Sequence, residues 1–240
     1  MKTAIVTGAS SGIGLEIVKT LVGMEYRVYG LARDFGKSGF SDPDFIPVTC
    51  DVTDTAQLQS AVQAIKEKEK QGIFLLVNNA GVGFFGPHEQ LKPRQIEIMT
   101  ATNLQAPLIL TSLLLRDIKQ SQGFIINIAS VTAKKSSTHG CAYAATKAGL
   151  AHFSLSLFDE IRKTGAKVVC IYPDMTQTAF YDQADFREGD DPESYITPRD
   201  VAEAVKMVLA QPAGTVVTEL TIRPQKHQIV RKTSLAAKKR

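Results

Sequence analysis

No run of the sequence approaches the roughly 20 consecutive apolar residues that a membrane-spanning helix requires, so no membrane segment is expected. The opening "MKTAIVTGASSGIG" ends its short apolar run in a glycine loop, which reads as a first strand and not as a secretory leader. A cytoplasmic location is the resulting expectation. Cysteine is scarce as well. Cys50, Cys141 and Cys170 are far apart, show neither C-x-x-C pairing nor zinc spacing, and are odd in number. A disulfide framework is excluded on that pattern, and no metal is expected. Cys141 lies two residues before Tyr143, but a reactive thiol needs a lowered pKa that no sequence displays. Internal repeats and low-complexity linkers are also missing, and 240 residues suffice for one domain with a well-buried core.

A basic body is missing too, despite a formal net charge of +4. Residues 226–240, "KHQIVRKTSLAAKKR", hold six Lys/Arg and no acid, so the remainder carries −2. That excludes a nucleic-acid footprint on the body. Residues 1–224 are read as the domain and residues 225–240 as a flexible, solvated tail whose removal leaves function nearly intact.

What the sequence does contain is alternation. Near-continuous apolar runs lie at 2–7, 27–32, 45–50, 73–79, 123–130, 167–173 and 215–222, as expected for strands buried on both faces of a parallel sheet. Helical patterns separate them, one with Asp54 or Thr53 as N-cap and Gly72 as stop, another with Thr197 as cap and Pro198 at its first position. The fold class is therefore α/β, a doubly wound, mostly parallel seven-stranded sheet with helices on both faces. The irregular stretch 175–196 is long for a connection and is a candidate lid.

The loop "TGASSGIG" joins the first strand to the first helix. Gly8 permits a tight turn, Gly12 lets the backbone approach a pyrophosphate, and Gly14 allows close helix–sheet packing. The helix N-terminus around Ile13 offers N–H groups and partial positive charge to phosphates, and Ser10 and Ser11 add hydroxyls. The second strand ends "LARD", where an NAD site would place a carboxylate on the ribose. Ala32 stands there instead, followed by Arg33, which suits a 2′-phosphate, so NADP(H) is preferred over NAD(H). Asp34 is the competing acid if the strand end shifts.

Further along, "YAATK" sets Tyr143 and Lys147 four residues apart among small residues. On a helix that puts them on one face, about 5–6 Å apart at Cβ. An ammonium beside a phenol favours phenolate and should lower the tyrosine pKa toward the range useful for acid–base work.

In these residues the chain resembles the compact form of the short-chain dehydrogenase/reductase family, over nearly everything from Lys2 to Ile222. "TGASSGIG" is similar to the family's cofactor loop, Asp51–Val52 to the pair beside the adenine ring, and "NNAG" (Asn78, Asn79, Ala80, Gly81) to the motif after the fourth strand. Asn103, Ser130, Tyr143 and Lys147 fall where the family has its catalytic residues. The resemblance implies a Rossmann-type fold, reversible hydride transfer between a nicotinamide cofactor and a carbonyl or alcohol, and pairing into a homodimer or homotetramer through two long helices. It implies that Tyr143 moves the proton, that Ser130 polarises the substrate oxygen, that Lys147 holds the nicotinamide ribose, and that Asn103 leads through a water toward solvent. Pro173, Thr176 and Thr178 would hold the carboxamide. Asp174 departs from the pattern, since the family has glycine after that proline. The departure raises two expectations: an altered backbone there, and a negative charge near the nicotinamide that favours the oxidised cofactor.

Phe84, Phe85, Phe180, Tyr181, Phe186 and Tyr195 lie in the segments expected around the substrate, which suits a small or medium apolar ketone, diketone or aldehyde. His139 and the pair Lys134–Lys135 are weaker candidates for substrate contact. Two other readings stay open: a reductase of carrier-bound 3-oxoacyl thioesters, and a catalytically silent nucleotide-binding sensor.

Overall fold

The computed structural model describes residues 1–36 and 38–232. Seven strands form one sheet: β1 (Lys2–Thr7), β2 (Tyr26–Ala32), β3 (Phe45–Thr49), β4 (Leu75–Asn78), β5 (Phe124–Ile128), β6 (Lys167–Pro173) and β8 (Glu219–Ile222). Their order is β3-β2-β1-β4-β5-β6-β8, every pair parallel. The order reverses between β1 and β4, and in such sheets ligands bind at the carboxyl ends beside that switch point. β8 is shorter than the run at 215–222 suggested, because pairing with β6 starts only at Cys170, opposite Glu219.

Helices cover both faces. α1 (Gly12–Gly23) and α6 (Pro198–Leu209) enclose one apolar core with residues such as Ile17, Leu21, Val201 and Val205. α2 (Thr55–Lys68), α4 (Ala106–Gln120) and α5 (Cys141–Ile161) enclose the other through Leu58, Leu110, Leu114 and Leu157. The caps follow the sequence: Asp54 accepts from the Ala56 and Gln57 N–H groups, and Thr197 forms a capping box with Asp200 behind Pro198.

α4 is continuous with the helix before it. α3 (Pro93–Thr100) runs into it through a π-turn at Ala101–Gln105. The continuous helix Pro93–Gln120 is long and apolar enough to span a membrane by length and composition, yet Leu110, Leu114 and Ile118 are fully packed in the core. Pro107 sits just after the π-turn and lacks the N–H that would bond back to the Asn103 carbonyl, so the ladder is locally rearranged there.

The tail is a correction. A second, two-stranded sheet pairs β7 (Phe186–Glu188), inside the expected lid, with β9 (Ile229–Arg231). Residues 226–232 are therefore not a free tail. Their Ile-Val-Arg core finds ladder partners about 40 residues earlier, a long-range pairing that local charge concealed. Residues 233–240, the rest of that expectation, lie outside the described residues.

Candidate active site

The carboxyl ends of β1, β4, β5 and β6 converge on one cleft. After β1 the chain turns at Gly8 (φ 66°) and again at Gly12 (φ 53°), conformations that disfavour any side chain. Ser11 caps α1 without a side-chain bond, which leaves the first-turn N–H groups for a ligand. Thr7 Oγ1 accepts from the Asn79 N–H (3.0 Å) and the Ala80 N–H (2.9 Å), and Asn79 Nδ2 donates to the Thr7 carbonyl (2.9 Å). "NNAG" thus braces the glycine loop. Thr7 is the pin of that brace, and motif reading passed over it; the only signal was its place as the last residue of β1 beside β4. A Cβ on Gly14 would stand 2.1 Å from the Gly8 carbonyl oxygen. A cradle that side chains would fill, at the positive end of a helix, fits the pyrophosphate of a dinucleotide.

At the end of β2, Arg33 is exposed. Asp34 turns back on itself, its Oδ1 accepting from the Gly36 N–H at 2.8 Å, so the competing carboxylate is engaged in its own turn. Asp51 accepts from the Thr53 N–H and hydroxyl (2.9 and 2.7 Å) and fixes the turn after β3, while Val52 packs on the sheet.

The four expected catalytic residues are brought together. Tyr143 and Lys147 lie one turn apart on α5, only 7% and 4% exposed. Ser130 follows β5 and caps a short turn, its hydroxyl accepting from the Thr132 N–H (3.2 Å) and hydroxyl (3.0 Å). Lys147 Nζ donates to the Ile128 carbonyl at 2.8 Å. A Cβ on Gly81 would lie 3.5 Å from Lys147 Nζ and 3.6 Å from Asn103 Oδ1, so glycine keeps the space between them open. The Asn103 amide is fully engaged: Oδ1 accepts from the Val82 N–H (2.9 Å), and Nδ2 donates to the Val82 carbonyl (2.8 Å) and the Thr146 hydroxyl (3.1 Å). The side chain anchors the loop after β4 to α5.

The electrostatics correct one expectation. Tyr143 is not lowered: burial pushes its phenol up to about 12, against the opposing pull of its hydrogen bond with Ser130. Lys147 Nζ is 5.9 Å from the ring centroid and turned toward the Ile128 carbonyl, so loss of water outweighs the ammonium's attraction. The phenol is protonated at neutral pH. Lys147 itself is pulled down to about 8 by burial, with nearby Cys170 opposing.

That shift has a stability consequence. Below pH 8 both folded and unfolded chains carry the Lys147 proton, and this group gives no pH slope. Between about 8 and its ordinary 10.5 the unfolded chain binds more protons, so stability rises with pH, by about 3 kcal/mol in all. Lys147→Met lacks the ionisation. Denaturant midpoints of the parent should gain on those of the variant across that window; parallel pH courses would contradict the assignment.

After β6 the surprise at Asp174 resolves simply. Its φ is not positive, so glycine is not required, and its N–H joins the ladder through the Ile222 carbonyl (2.9 Å). Its carboxylate faces Lys135 Nζ and Arg223 Nε, each at 3.9 Å. Two cations flank the charge expected beside the nicotinamide and offset it. Thr176 is buried with its hydroxyl on the Asp174 carbonyl (2.9 Å), and Thr178 caps the turn Ala179–Tyr181. Thr178 also approaches the glycine loop: its Cγ2 is 3.3 Å from where a Gly12 Cβ would be.

Rings close the cleft above Tyr143. Phe85 and Phe180 lie 5.4 and 5.7 Å from it, centroid to centroid, and Tyr181 and Phe186 pack on Phe85 at 6.0 and 5.2 Å. Phe84 and Tyr195 join no ring pair among the described residues. His139 is exposed and serves through its backbone, its carbonyl accepting from the Gly86 N–H at 2.7 Å to hold the Phe85 loop. Lys134 is committed elsewhere, over the Tyr172 ring and to Glu219. Exposed Cys141 lies 3.4 Å from His88 Nδ1.

Several known proteins are similar to this chain. The sequence model described as short chain dehydrogenase matches residues 2–188. An uncharacterised oxidoreductase of Staphylococcus saprophyticus is 32% identical over 231 residues, covering 93% of this chain and 97% of that protein. An alcohol dehydrogenase from the archaeon Thermococcus sibiricus, complexed with 5-hydroxy-NADP, is similar in fold with a TM-score of 0.85 at 23% identity, over 95% of this chain and 98% of that one. A metagenomic short-chain oxidoreductase in complex with NADP gives 0.79 at 28% identity, over 94% and 97%.

Proposed function

This chain belongs to the short-chain dehydrogenase/reductase family of oxidoreductases, and on that premise we propose that it is an NADPH-dependent reductase of small or medium apolar ketones, diketones or aldehydes, acting reversibly. The observation that carries the reading is the buried, protonated phenol of Tyr143 beside Ser130 and under an aromatic roof. NADPH, when bound along the glycine loop, supplies the hydride. The chain's residues do the rest. The Ser130 hydroxyl donates to the carbonyl oxygen and polarises it. The Tyr143 O–H, a far weaker base once ionised than an alkoxide, gives its proton to the oxygen as negative charge develops there. The phenolate is then reprotonated by way of Lys147, through a bridging water, since Nζ itself is turned toward the Ile128 carbonyl. The route onward to solvent runs past Asn103, whose backbone carbonyl is relieved of its usual helical donor by Pro107. The apolar rings exclude water and accept an apolar body.

The cofactor preference is read from Arg33, exposed where a 2′-phosphate would lie, and from Asp34's engagement with Gly36. The similar metagenomic oxidoreductase carries NADP. Arg33→Ala should raise the KM for NADPH about 10–100-fold, the worth of one charge-assisted fork, and leave that for NADH nearly unchanged. Equal changes for both would remove the basis for the preference. Pairing of two copies through α4 and α5 belongs to the same reading, since Leu108 and Leu155 are exposed on them.

The test is NADPH consumption over a panel of ketones, diketones, aldehydes and 3-oxoacyl thioesters. Turnover of the apolar carbonyl compounds supports the reading. Turnover of thioesters alone moves the substrate class, and turnover of none moves the chain to the sensor class.

A further inference from the structure

The lid and the C-terminal segment leave the sheet side by side. β6 and β8 are neighbours, with Pro173 opposite Ile222. The lid runs out from Asp174 and returns at Ile196, where a bridge to Thr176 closes its neck. The C-terminal segment runs alongside the lid. β9 pairs antiparallel with β7, Phe186 opposite Arg231. The Lys226 N–H donates to the Glu193 carbonyl (2.8 Å) and the Lys232 N–H to the Asp185 carbonyl (2.7 Å). Lys232 Nζ donates to the carbonyls of Tyr181 (2.6 Å) and Asp182 (2.9 Å).

These ties are unequal. Lys226 pairs with Asp191 and Glu193 at an exposed edge, where ion pairs contribute little. Lys232 places an ammonium on two carbonyls at the end of the turn Ala179–Tyr181, where partial negative charge favours a cation. That turn carries Phe180 and Tyr181. β7 carries Phe186. The backbone that carries each ring the lid contributes to the roof over Tyr143 is therefore tied to residues 226–232.

We propose that residues 226–232 form a strap across the lid and that Lys232 is a positioning residue: through the Tyr181 and Asp182 carbonyls it fixes Phe180 and Tyr181 over Tyr143 and so sets the size of carbonyl compound admitted to the phenol. The specificity part rests on the reductase reading; the strap itself does not. The expectation that the whole tail is dispensable is replaced accordingly.

The test uses full-length Lys232→Met, Lys232→Arg and Val230→Pro. Hydrogen–deuterium exchange is followed over residues 178–188, and kcat and KM are measured with NADPH for a small aliphatic and a bulky aromatic ketone. In Lys232→Met and Val230→Pro, exchange should quicken by roughly tenfold or more, and Lys232→Arg should restore it. The KM of the bulky ketone should fall relative to that of the small one, with kcat for the small ketone nearly unchanged. Unchanged exchange in both disrupting variants overturns the strap. Faster exchange with an unchanged KM ratio overturns the role in specificity. Should the parent turn over neither ketone nor any other carbonyl compound of the panel, the reductase reading and with it the specificity role fail, and exchange alone decides the strap.

Discussion

Tyr143→Phe should lower kcat/KM for carbonyl reduction about 10²–10⁴-fold, the range for removing a positioned general acid, while NADPH still binds and the fold persists. The substitution deletes one oxygen and leaves the ring. The ring contacts to Phe85 and Phe180 are therefore kept, and the roof stays in place. What disappears is the buried phenol next to Ser130, held protonated at neutral pH because burial lifts its pKa to about 12. A carbonyl accepting hydride without that proton must form a bare alkoxide in a site walled by rings, where charge is poorly solvated. Ser130→Ala should cost about 10²–10³-fold, as for one lost oxyanion donor, and the two effects should not add. Retention of more than a tenth of the parent activity in Tyr143→Phe would remove the phenol from the mechanism.

The second large effect is expected at a position that touches no substrate. Gly14→Ala places a methyl 2.1 Å from the Gly8 carbonyl oxygen and 2.5 Å from Asn79 Nδ2. Neither neighbour is a flexible chain end: Gly8 is backbone in the left-handed region, and Asn79 is tied to the Thr7 carbonyl. Relief requires α1 and the loop to separate by about 1 Å, and overpacking of this kind costs about 1–3 kcal/mol. The larger loss is in function, because a displacement of that size in a positioning element is worth about 10²-fold. NADPH affinity should fall at least that far. Gly23→Ala is the control. Nothing lies within 4 Å of its added Cβ and its φ is ordinary, so it should bind NADPH as the parent does and gain up to about 1 kcal/mol in stability. Normal NADPH binding by Gly14→Ala would mean that the loop does not hold the cofactor.

The fold was legible because its strands are buried on both faces. β6 runs over the seven residues of "KVVCIYP", all buried, and a short run so rich in β-branched and apolar residues suits a central strand covered by helices above and below. The site was legible where chemistry sits at short, fixed spacing: Gly8 to Gly14 around one turn, Tyr143 and Lys147 across one turn of α5. Three features were hidden, each because it depends on neighbours distant in sequence. Helix spacing places Lys147 near Tyr143, but only the packed rings and the Ile128 carbonyl decide that burial, and not the ammonium, sets the phenol's pKa. Asp174 departs from the family pattern, and the cations that answer its charge, Lys135 and Arg223, lie far from it in sequence. "QIVRK" reads locally as a charged terminus, and only the exposed edge of β7 makes it a strand. The π-turn had one local sign, Pro107 placed four residues after Asn103.

The central claim is that this cleft transfers hydride and supplies the matching proton from Tyr143. The most direct measurement is a single turnover: parent and Tyr143→Phe, each loaded with NADPH and shown to hold it, are mixed with the carbonyl panel, and bound NADPH absorbance is followed. The account predicts that absorbance falls in the parent with at least one apolar ketone or aldehyde and persists in the variant. Absorbance that persists in both for every compound, or falls equally in both, would contradict it.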